Sequence, residues 1–208
     1  MPQAPTPAPQ ERSQSSGGLA GARPLFAQEL KAAHPDQPLE WWFQDEARIG
    51  QQGTLASVWA ETGSRPQRVR QTEYDWVYVY AAVNAVSGAS SAMLAPNVNT
   101  DYMNAHLQFI SAQVTKGSHG ILVLDQAGWH MAKALQVPEN LTLLHLPPYS
   151  PELNPVERVW QYLRGNYLSN RVFKDYDHLF DVTATAWNRL DQEQLKSICH
   201  TAWAERAI

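Results

Sequence analysis

Apolar stretches alternate with polar breaks along most of the chain, and their spacing changes near residue 100. Before that point the apolar runs have the length of strands, and they cover 39–50, 54–62, 75–86 and 90–96. Aromatic and β-branched residues are frequent in these runs, and polar segments separate them. The pattern predicts an antiparallel meander in this half of the chain.

From Thr100 onward the apolar period becomes helical. The residues on the predicted apolar face are Met103, Leu107, Ile110 and Val114. The uninterrupted run ILVL at 121–124 predicts a strand covered on both faces, and the strand–helix–strand order favours parallel pairing. A short helix around 131–135, a strand over 141–147 and a helix that begins near Pro155 follow in the prediction.

Composition divides the chain into three segments. Residues 1–24 are rich in Pro, Ser, Gln, Gly and Ala, which predicts a flexible segment, and the pattern allows a short helix over 25–33. We therefore assign 1–33 to a low-complexity N-terminal segment and 34–175 to one α/β domain. Residues 176–208 are predicted to form helices that pack on that domain or extend it.

The overall composition excludes several classes of protein. The chain has 208 residues, of which 44% are hydrophobic, and this is enough for one soluble domain with a core. No apolar run is long enough to span a bilayer and no export signal is visible, so we expect no membrane association. Cys199 is the single cysteine, which excludes an internal disulfide, agrees with a cytoplasmic location and predicts a small buried side chain.

Charge gives a mixed indication about nucleic acids. The net charge of -4 argues mildly against a dedicated nucleic-acid-binding module. Two basic clusters oppose this argument, one in RPQRVR and one on the helix after Glu157. The candidate DNA-binding residues in them are Arg65, Arg68, Arg70, Arg158 and Arg164. A solvated surface would explain these arginines equally well.

Two acidic residues follow predicted buried strands. Asp45 comes after LEWWFQ and Asp125 after ILVL, and ligands of open α/β sheets bind at the carboxyl ends of strands. If the two strands are neighbours, about 4.8 Å separates their backbones, and the two carboxylates repel each other unless a cation lies between them. Hard oxygen ligands of this kind suit Mg²⁺ or Mn²⁺.

Glu157 is the candidate for a third carboxylate, within LPPYSPELNPVERVW. One interpretation is a helix cap: Asn154 would be the N-cap, Pro155 the first helical residue, and Glu157 would reach back to the N-cap amide. The other interpretation is chemical, because a proline-stiffened loop can hold a metal ligand in place. A third carboxylate completes a site for two metal ions that cleaves phosphodiesters.

The blocks FQDEARIG, LDQAGWH and LPPYSPELNPVERVW resemble the three signature blocks of the DDE endonuclease domain in bacterial insertion-sequence transposases related to mariner elements. The likeness covers about 34–176. It implies a ribonuclease H-like α/β fold, a mixed five-stranded sheet flanked by helices, with Asp45, Asp125 and Glu157 as the catalytic, metal-binding triad. It also implies DNA strand cleavage and transfer with Mg²⁺ or Mn²⁺, two ions in the site, transposon terminal inverted repeats and target DNA as partners, and a homodimer in the active complex.

Some features depart from that family. Gln126 stands where Asn is usual, and the 31 residues between Asp125 and Glu157 make a slightly short interval. Complete relatives carry helix-turn-helix modules ahead of the catalytic domain, where this chain has its low-complexity segment. We therefore expect the catalytic half of a transposase, from the second frame of a two-frame element or a truncated remnant. The alternative function is an inactive remnant that keeps the fold and binds DNA or a partner.

Other residues near the three blocks have two interpretations each. His130 could contact DNA or a metal-bound water, or it could be a cap. Arg48 could contact a phosphate or balance Glu46, and Trp129 is expected to pack under the site. Glu46 and Glu152 match acidic positions that the family does not use as principal ligands.

Overall fold

A five-stranded mixed sheet lies at the centre of the molecule in the computed structural model, which describes residues 29–51, 59–64, 71 and 73–201. The strands are β1 (Leu39–Gly50), β2 (Trp76–Asn84), β3 (Ser90–Ala95), β4 (His119–Leu124) and β5 (Leu141–His145). The longer helices are α1 (Thr100–Gln113), α2 (Val156–Leu163), α3 (Tyr176–Asn188) and α4 (Gln192–Cys199). A 3₁₀ turn, Pro151–Leu153, precedes α2, and a π-helical turn, Arg164–Leu168, follows it.

The strand order is β3-β2-β1-β4-β5. Strands β1, β2 and β3 form the predicted antiparallel meander, in which β2 pairs with β1 on one side and with β3 on the other. Strands β4 and β5 run parallel to β1, and α1 makes the long crossover that a parallel connection requires. The predicted mixed sheet with flanking helices is therefore present.

Helices cover both faces of the sheet, and β1 shows how its sequence divides between them. Trp41 and Phe43 pack in the core formed with α2, α3 and α4, whereas Trp42 packs in the core formed with α1. All three side chains are fully buried. Because side chains alternate along a strand, the adjacent residues Asp45 and Glu46 point to opposite faces.

The two C-terminal helices belong to the same core as the catalytic-block segments. Leu179 and Ala186 of α3 and Leu195 and Cys199 of α4 are buried within it. The Cys199 Sγ lies 3.8 Å from the carbonyl oxygen of Pro155, so α4 ends directly against the start of α2. The expectation that Cys199 is a buried hydrophobic side chain is confirmed.

The structure differs from the sequence prediction in two segments. Residues 131–135 form a bend and a turn instead of a short helix, and the Leu135 amide closes this turn by donating to the Ala132 carbonyl oxygen at 3.0 Å. The strand predicted over 54–62 lies partly outside the described residues, and 59–62 form no strand. Residues 29–33 are helical, while the remainder of the predicted N-terminal segment and residues 202–208 lie outside the description.

Within the described ranges, no helix has the length and apolar character needed to cross a membrane.

Candidate active site

The sheet brings the two aspartates to the same level. Strands β1 and β4 are parallel neighbours with Phe43 opposite Val123, so two residues further along each chain Asp45 lies opposite Asp125. Strand β4 ends at Leu124, whereas β1 continues to Gly50 in pairing with β2. Asp45 is therefore inside its strand and not at its end, and the edge of the site is formed where β4 stops.

Glu157 reaches this edge from the first turn of α2. The Asn154 side chain fixes the start of that helix, since its Nδ2 donates to the Gln44 carbonyl oxygen at 2.8 Å and its Oδ1 accepts from the Val156 amide at 3.2 Å. Asn154 is 5% exposed, so both bonds are buried. The residue just before Asp45 is thus tied directly to the helix that carries Glu157.

The capping interpretation of Glu157 does not describe this geometry. The Asn154 amide, which a capping glutamate would accept from, donates instead to the Pro151 carbonyl oxygen at 2.9 Å. The 3₁₀ turn that begins at Pro151 therefore satisfies that amide. The Glu157 carboxylate is left to face the cavity that Asp45 and Asp125 also line.

That cavity is open to solvent and has a volume of about 490 Å³. Its lining comprises Asp45, Asp125, Gln126, Ala127, Leu146, Pro147, Pro148, Tyr149, Ser150, Pro151, Asn154 and Glu157. Tyr149 at its rim is fully exposed and has a φ of 59°, in the left-handed region that side chains other than glycine seldom adopt. The prolines around it hold this conformation, and Gln126 Nε2 donates to the Leu146 carbonyl oxygen at 2.9 Å to close the β4–β5 edge.

Asp45 lies in a surrounding that opposes its charge. Burial and the negative charge of Glu157 raise its pKa to about 7. The Trp160 Nε1 donates to Asp45 Oδ2 at 2.7 Å, which stabilises the carboxylate but offsets only part of this effect. Two carboxylates therefore compete for the same small volume, and a cation is the natural means of charging both.

Asp125 lies in the opposite kind of surrounding. Its side chain is 58% exposed, and its Oδ1 accepts from the Ala127 amide at 2.9 Å and from His130 Nδ1 at 2.7 Å. The hydrogen bond from His130 is the largest of the causes that lower the pKa of this carboxyl. Asp125 therefore remains ionised without further help.

His130 is a buried link between two carboxylates. Its Nδ1 faces Asp125 Oδ1, and its Nε2 lies 3.0 Å from Glu46 Oε1. Burial alone would lower the pKa of the ring, but the hydrogen bonds and charges of Asp125 and Glu46 outweigh it and raise the pKa to about 9. With 2% of its surface exposed, the residue is directed into the protein and not toward the DNA surface for which it was a candidate.

The arginines that were predicted to contact DNA lie in different surroundings. The exposed Arg48 stacks over the Trp76 ring at 4.1 Å and makes no contact that balances Glu46, whose charge is met by His130. The exposed Arg158 donates from Nη2 to the His200 carbonyl oxygen at 3.0 Å and so holds the end of α4. Arg164 is partly buried where the π-helical turn begins. The three arginines of 65–70 lie outside the described residues, so their predicted DNA contacts stay predictions.

The carboxylate oxygens that line the cavity are the kind of ligand that a hard divalent cation prefers, but the three side chains are not arranged as a formed metal site. Among the described residues, no group of three or more His, Cys, Asp or Glu side chains is positioned to hold a metal ion as it stands. Three carboxylates nevertheless line one cavity, and two of them repel each other strongly enough to raise a pKa. Oxygen donors with this uncompensated charge are what Mg²⁺ and Mn²⁺ select.

Sequence reasoning missed two polar contacts of the site. Helical spacing places Trp160 on the apolar face of α2, and the sequence predicts a cap at Asn154, yet the two side chains donate hydrogen bonds to Asp45 and to the Gln44 carbonyl oxygen, respectively. Trp160 lies three residues after Glu157, on the same side of α2, and its indole N–H needs a partner when buried. The three-residue spacing from Glu157 could therefore have indicated that Trp160 lies near the site.

Comparison with known proteins decides the family. A profile described as DDE superfamily endonuclease matches residues 40–180, which include all three blocks. The chain belongs to this superfamily. It is also 47% identical over 134 residues to the uncharacterized protein y4pE/y4sA of Sinorhizobium fredii, a match that covers 64% of this chain and 99% of that protein.

Solved structures of this DDE superfamily confirm the ribonuclease H-like fold. The catalytic domain of Mos1 mariner transposase aligns over 97% of this chain and 94% of its own, with a TM-score of 0.57 and 16% identity. The Mos1 paired end complex with Mg aligns with a TM-score of 0.63 and 16% identity over the whole of this chain. The chain spans 64% of the length of that Mos1 protein. These likenesses show that the two proteins share a fold.

Proposed function

We propose that this chain is the catalytic domain of a DNA transposase that cleaves phosphodiester bonds at transposon ends and transfers the strands to target DNA. The observation that supports it is one cavity lined by Asp45, Asp125 and Glu157, which come from three distant segments of the chain. Two other findings agree: the Glu157 charge raises the Asp45 pKa, and Mos1 structures with Mg and Mn are among the folds that this chain resembles.

In this proposal Asp45, Asp125 and Glu157 hold one or two Mg²⁺ or Mn²⁺ ions. When bound there, such ions would supply activation of a water or hydroxyl nucleophile and charge stabilisation for the leaving oxygen of the phosphodiester. The chain itself supplies position and charge: Trp160 orients Asp45, and Asn154 keeps the helix of Glu157 against β1. Fixed placement of the catalytic groups accelerates a reaction because less entropy is lost on reaching the transition state.

The partners follow from the same proposal. We infer that the chain binds terminal inverted repeats and target DNA in the bacterial cytoplasm, and that two copies act together. Helices α3 and α4 share the core of the catalytic segments, so we include them in the catalytic unit. The Mos1 complexes with transposon ends support DNA as the substrate class.

The test is Mg²⁺-dependent nicking of a duplex that carries the terminal repeat, with a supercoiled plasmid as a sequence-independent probe. We expect Asp45→Asn, Asp125→Asn and Glu157→Gln each to reduce nicking by roughly a thousandfold or more, since each removes several kcal/mol of charge stabilisation. Glu152→Gln is the matched control, because Glu152 is exposed on the 3₁₀ turn and does not line the cavity.

The outcomes separate the two candidate functions. Wild-type nicking together with loss in the triad variants supports the transposase domain. Nicking at wild-type rates by any triad variant refutes the triad. A folded wild-type protein that shows no nicking with Mg²⁺ or Mn²⁺ would instead indicate the alternative, an inactive remnant.

A further inference from the structure

The segment DQAGWH, residues 125–130, folds back on its own aspartate. The Ala127 amide donates to Asp125 Oδ1, and the His130 amide donates at 2.9 Å to the Ala127 carbonyl oxygen. This turn places the His130 ring under Asp125, where Nδ1 makes the second bond to the same Oδ1. One oxygen of Asp125 is therefore committed to two donors, while Oδ2 has no hydrogen-bond partner among the described residues.

The other end of the His130 ring is anchored to β1. Three donors meet at Glu46 Oε1: His130 Nε2 at 3.0 Å, Gln44 Nε2 at 2.8 Å and Trp129 Nε1 at 3.2 Å. The Glu46 side chain is 8% exposed and that of His130 is 1% exposed. The contact therefore lies behind the cavity, on the sheet face opposite to Asp45.

Stability alone is a weak explanation for this arrangement. Removing charged groups from water costs about as much as a buried ion pair returns, so such a pair adds little net stability. Its effect on geometry is more direct, because both ring nitrogens face carboxylate oxygens and the ring cannot turn without breaking two bonds. Groups that hydrogen-bond to a metal ligand in this way fix its orientation and tune its affinity.

We propose that Glu46 and His130 form a positioning pair that holds Asp125 with Oδ1 turned inward, so that Asp125 offers only Oδ2 to a divalent cation in the cavity. The proposal rests on the proposed function, because it assumes that Asp125 is a metal ligand. The proposal gives the adjacent residues Asp45 and Glu46 different roles. Asp45 faces the cavity, whereas Glu46, on the opposite face of the sheet, orients Asp125 through His130.

The test measures Mn²⁺ affinity of the full chain by electron paramagnetic resonance, without DNA. We expect His130→Gln and Glu46→Ala each to weaken Mn²⁺ binding by about 10- to 100-fold, the usual effect of losing a group that orients a metal ligand. Glu46→Gln keeps an oxygen that accepts from His130, so it should weaken binding by only a few fold. Binding of DNA in EDTA should be unchanged in all three variants.

The double variant Glu46→Ala/His130→Gln distinguishes one device from two independent effects. Glu46 acts on Asp125 only through His130, so removing both residues should have no additional effect. The double variant should therefore bind Mn²⁺ no more weakly than the single variant with the lower affinity. His106→Gln is the matched control, since His106 is also fully buried beneath this sheet face, but its Nε2 lies 3.4 Å from the Ser91 carbonyl oxygen and neither ring nitrogen hydrogen-bonds to a carboxylate of the described residues. Its Mn²⁺ affinity should equal that of the wild type.

Asp125→Asn and Glu157→Gln separate failure of this inference from failure of the proposed function. If neither variant weakens Mn²⁺ binding, the proposed metal site itself is refuted. If Asp125→Asn and Glu157→Gln weaken Mn²⁺ binding but His130→Gln and Glu46→Ala do not, the positioning pair is overturned. The same conclusion follows if the losses of Mn²⁺ affinity from His130→Gln and Glu46→Ala add in the double variant. If His130→Gln does not fold, the test is the difference in Mn²⁺ affinity between Glu46→Ala and Glu46→Gln. Equal Mn²⁺ affinities of these two variants would overturn the inference.

Discussion

Asp45 and Asp125 lie at the same level on neighbouring strands, yet their surroundings act in opposite directions. Asp45 is partly buried beside Glu157, and its pKa is raised to about 7. Asp125 is largely exposed, accepts from His130 and a main-chain amide, and its pKa is lowered. His130 therefore supports the charge of Asp125, whereas the surroundings of Asp45 oppose its charge, which a cation in the proposed metal site would offset.

In the proposed metal site, this contrast would give the two sides different roles. The Asp125 side is preorganised by contacts within the chain, so it needs no metal to hold its shape. On the other side, burial and the Glu157 charge oppose the ionisation of Asp45, so metal binding in the proposed site and the charging of Asp45 would be linked. The variants below alter one side at a time.

The largest effect is expected from Asp45→Asn in metal-free protein. The pKa of Asp45 is higher in the folded than in the unfolded state, so ionising it costs stability as pH rises from about 4 through 7. Removing the charge should therefore raise the free energy of unfolding by on the order of 3 kcal/mol at pH 8 and by almost nothing near pH 4. Urea unfolding in EDTA at both pH values measures this, and a destabilised variant at pH 8 would contradict the charge assignment.

Asn154→Ala should detach the helix of Glu157 from β1. The variant leaves the buried Gln44 carbonyl without its donor and should lower the free energy of unfolding by about 2 kcal/mol. Nicking should fall as well, because Glu157 loses its fixed distance from Asp45. Asn140→Ala is the matched control: its side chain also makes two bonds, both with Ser111, but far from the cavity. Equal activity in the two variants at matched stability would argue against a positioning effect of Asn154.

Asp125→Asn should have the opposite sign to Asp45→Asn. The folded-state pKa of Asp125 is below its unfolded value, so its charge stabilises the fold at neutral pH, and this contribution is lost as pH falls through the folded pKa. Because the side chain is 58% exposed and screened, we expect a loss of about 1 kcal/mol at pH 7. The same urea series records it, and a gain in stability would remove the proposed contrast.

Arg158→Ala should have the smallest effect and tests a candidate DNA contact. The side chain is exposed and donates to the His200 carbonyl oxygen, so its loss should cost about 0.5 kcal/mol. If Arg158 only clamps α4, the salt dependence of DNA binding will be unchanged. A slope of log affinity against log salt that is smaller by about one would instead assign Arg158 to a phosphate.

Much of the frame could be predicted from local sequence. The uninterrupted apolar run Trp41, Trp42 and Phe43 indicates a strand buried on both faces, and the apolar run before Asp125 indicates a second one. Together they imply that the two aspartates are level, and the register of β1 and β4 agrees. The resemblance to DDE transposases added the ribonuclease H-like fold, which the structural comparisons confirm.

The contacts that give each carboxylate its character were not predictable in this way. Trp160 and Asp45 are 115 residues apart, and Asn154 and Gln44 are 110 apart, so no local period links them. The expected helix at 131–135 was wrong for a related reason: the segment consists of good helix formers, but the tertiary contacts of the preceding His130 with Asp125 and Glu46 outweigh that local propensity.

The most direct measurement is anomalous diffraction from crystals of the full chain soaked in Mn²⁺. We predict a manganese peak in the cavity, bonded to oxygens of Asp45, Asp125 and Glu157 at roughly 2.0 to 2.2 Å, with Asp125 bound through Oδ2. Saturating Mn²⁺ that leaves these three carboxylates without a shared ion would contradict it.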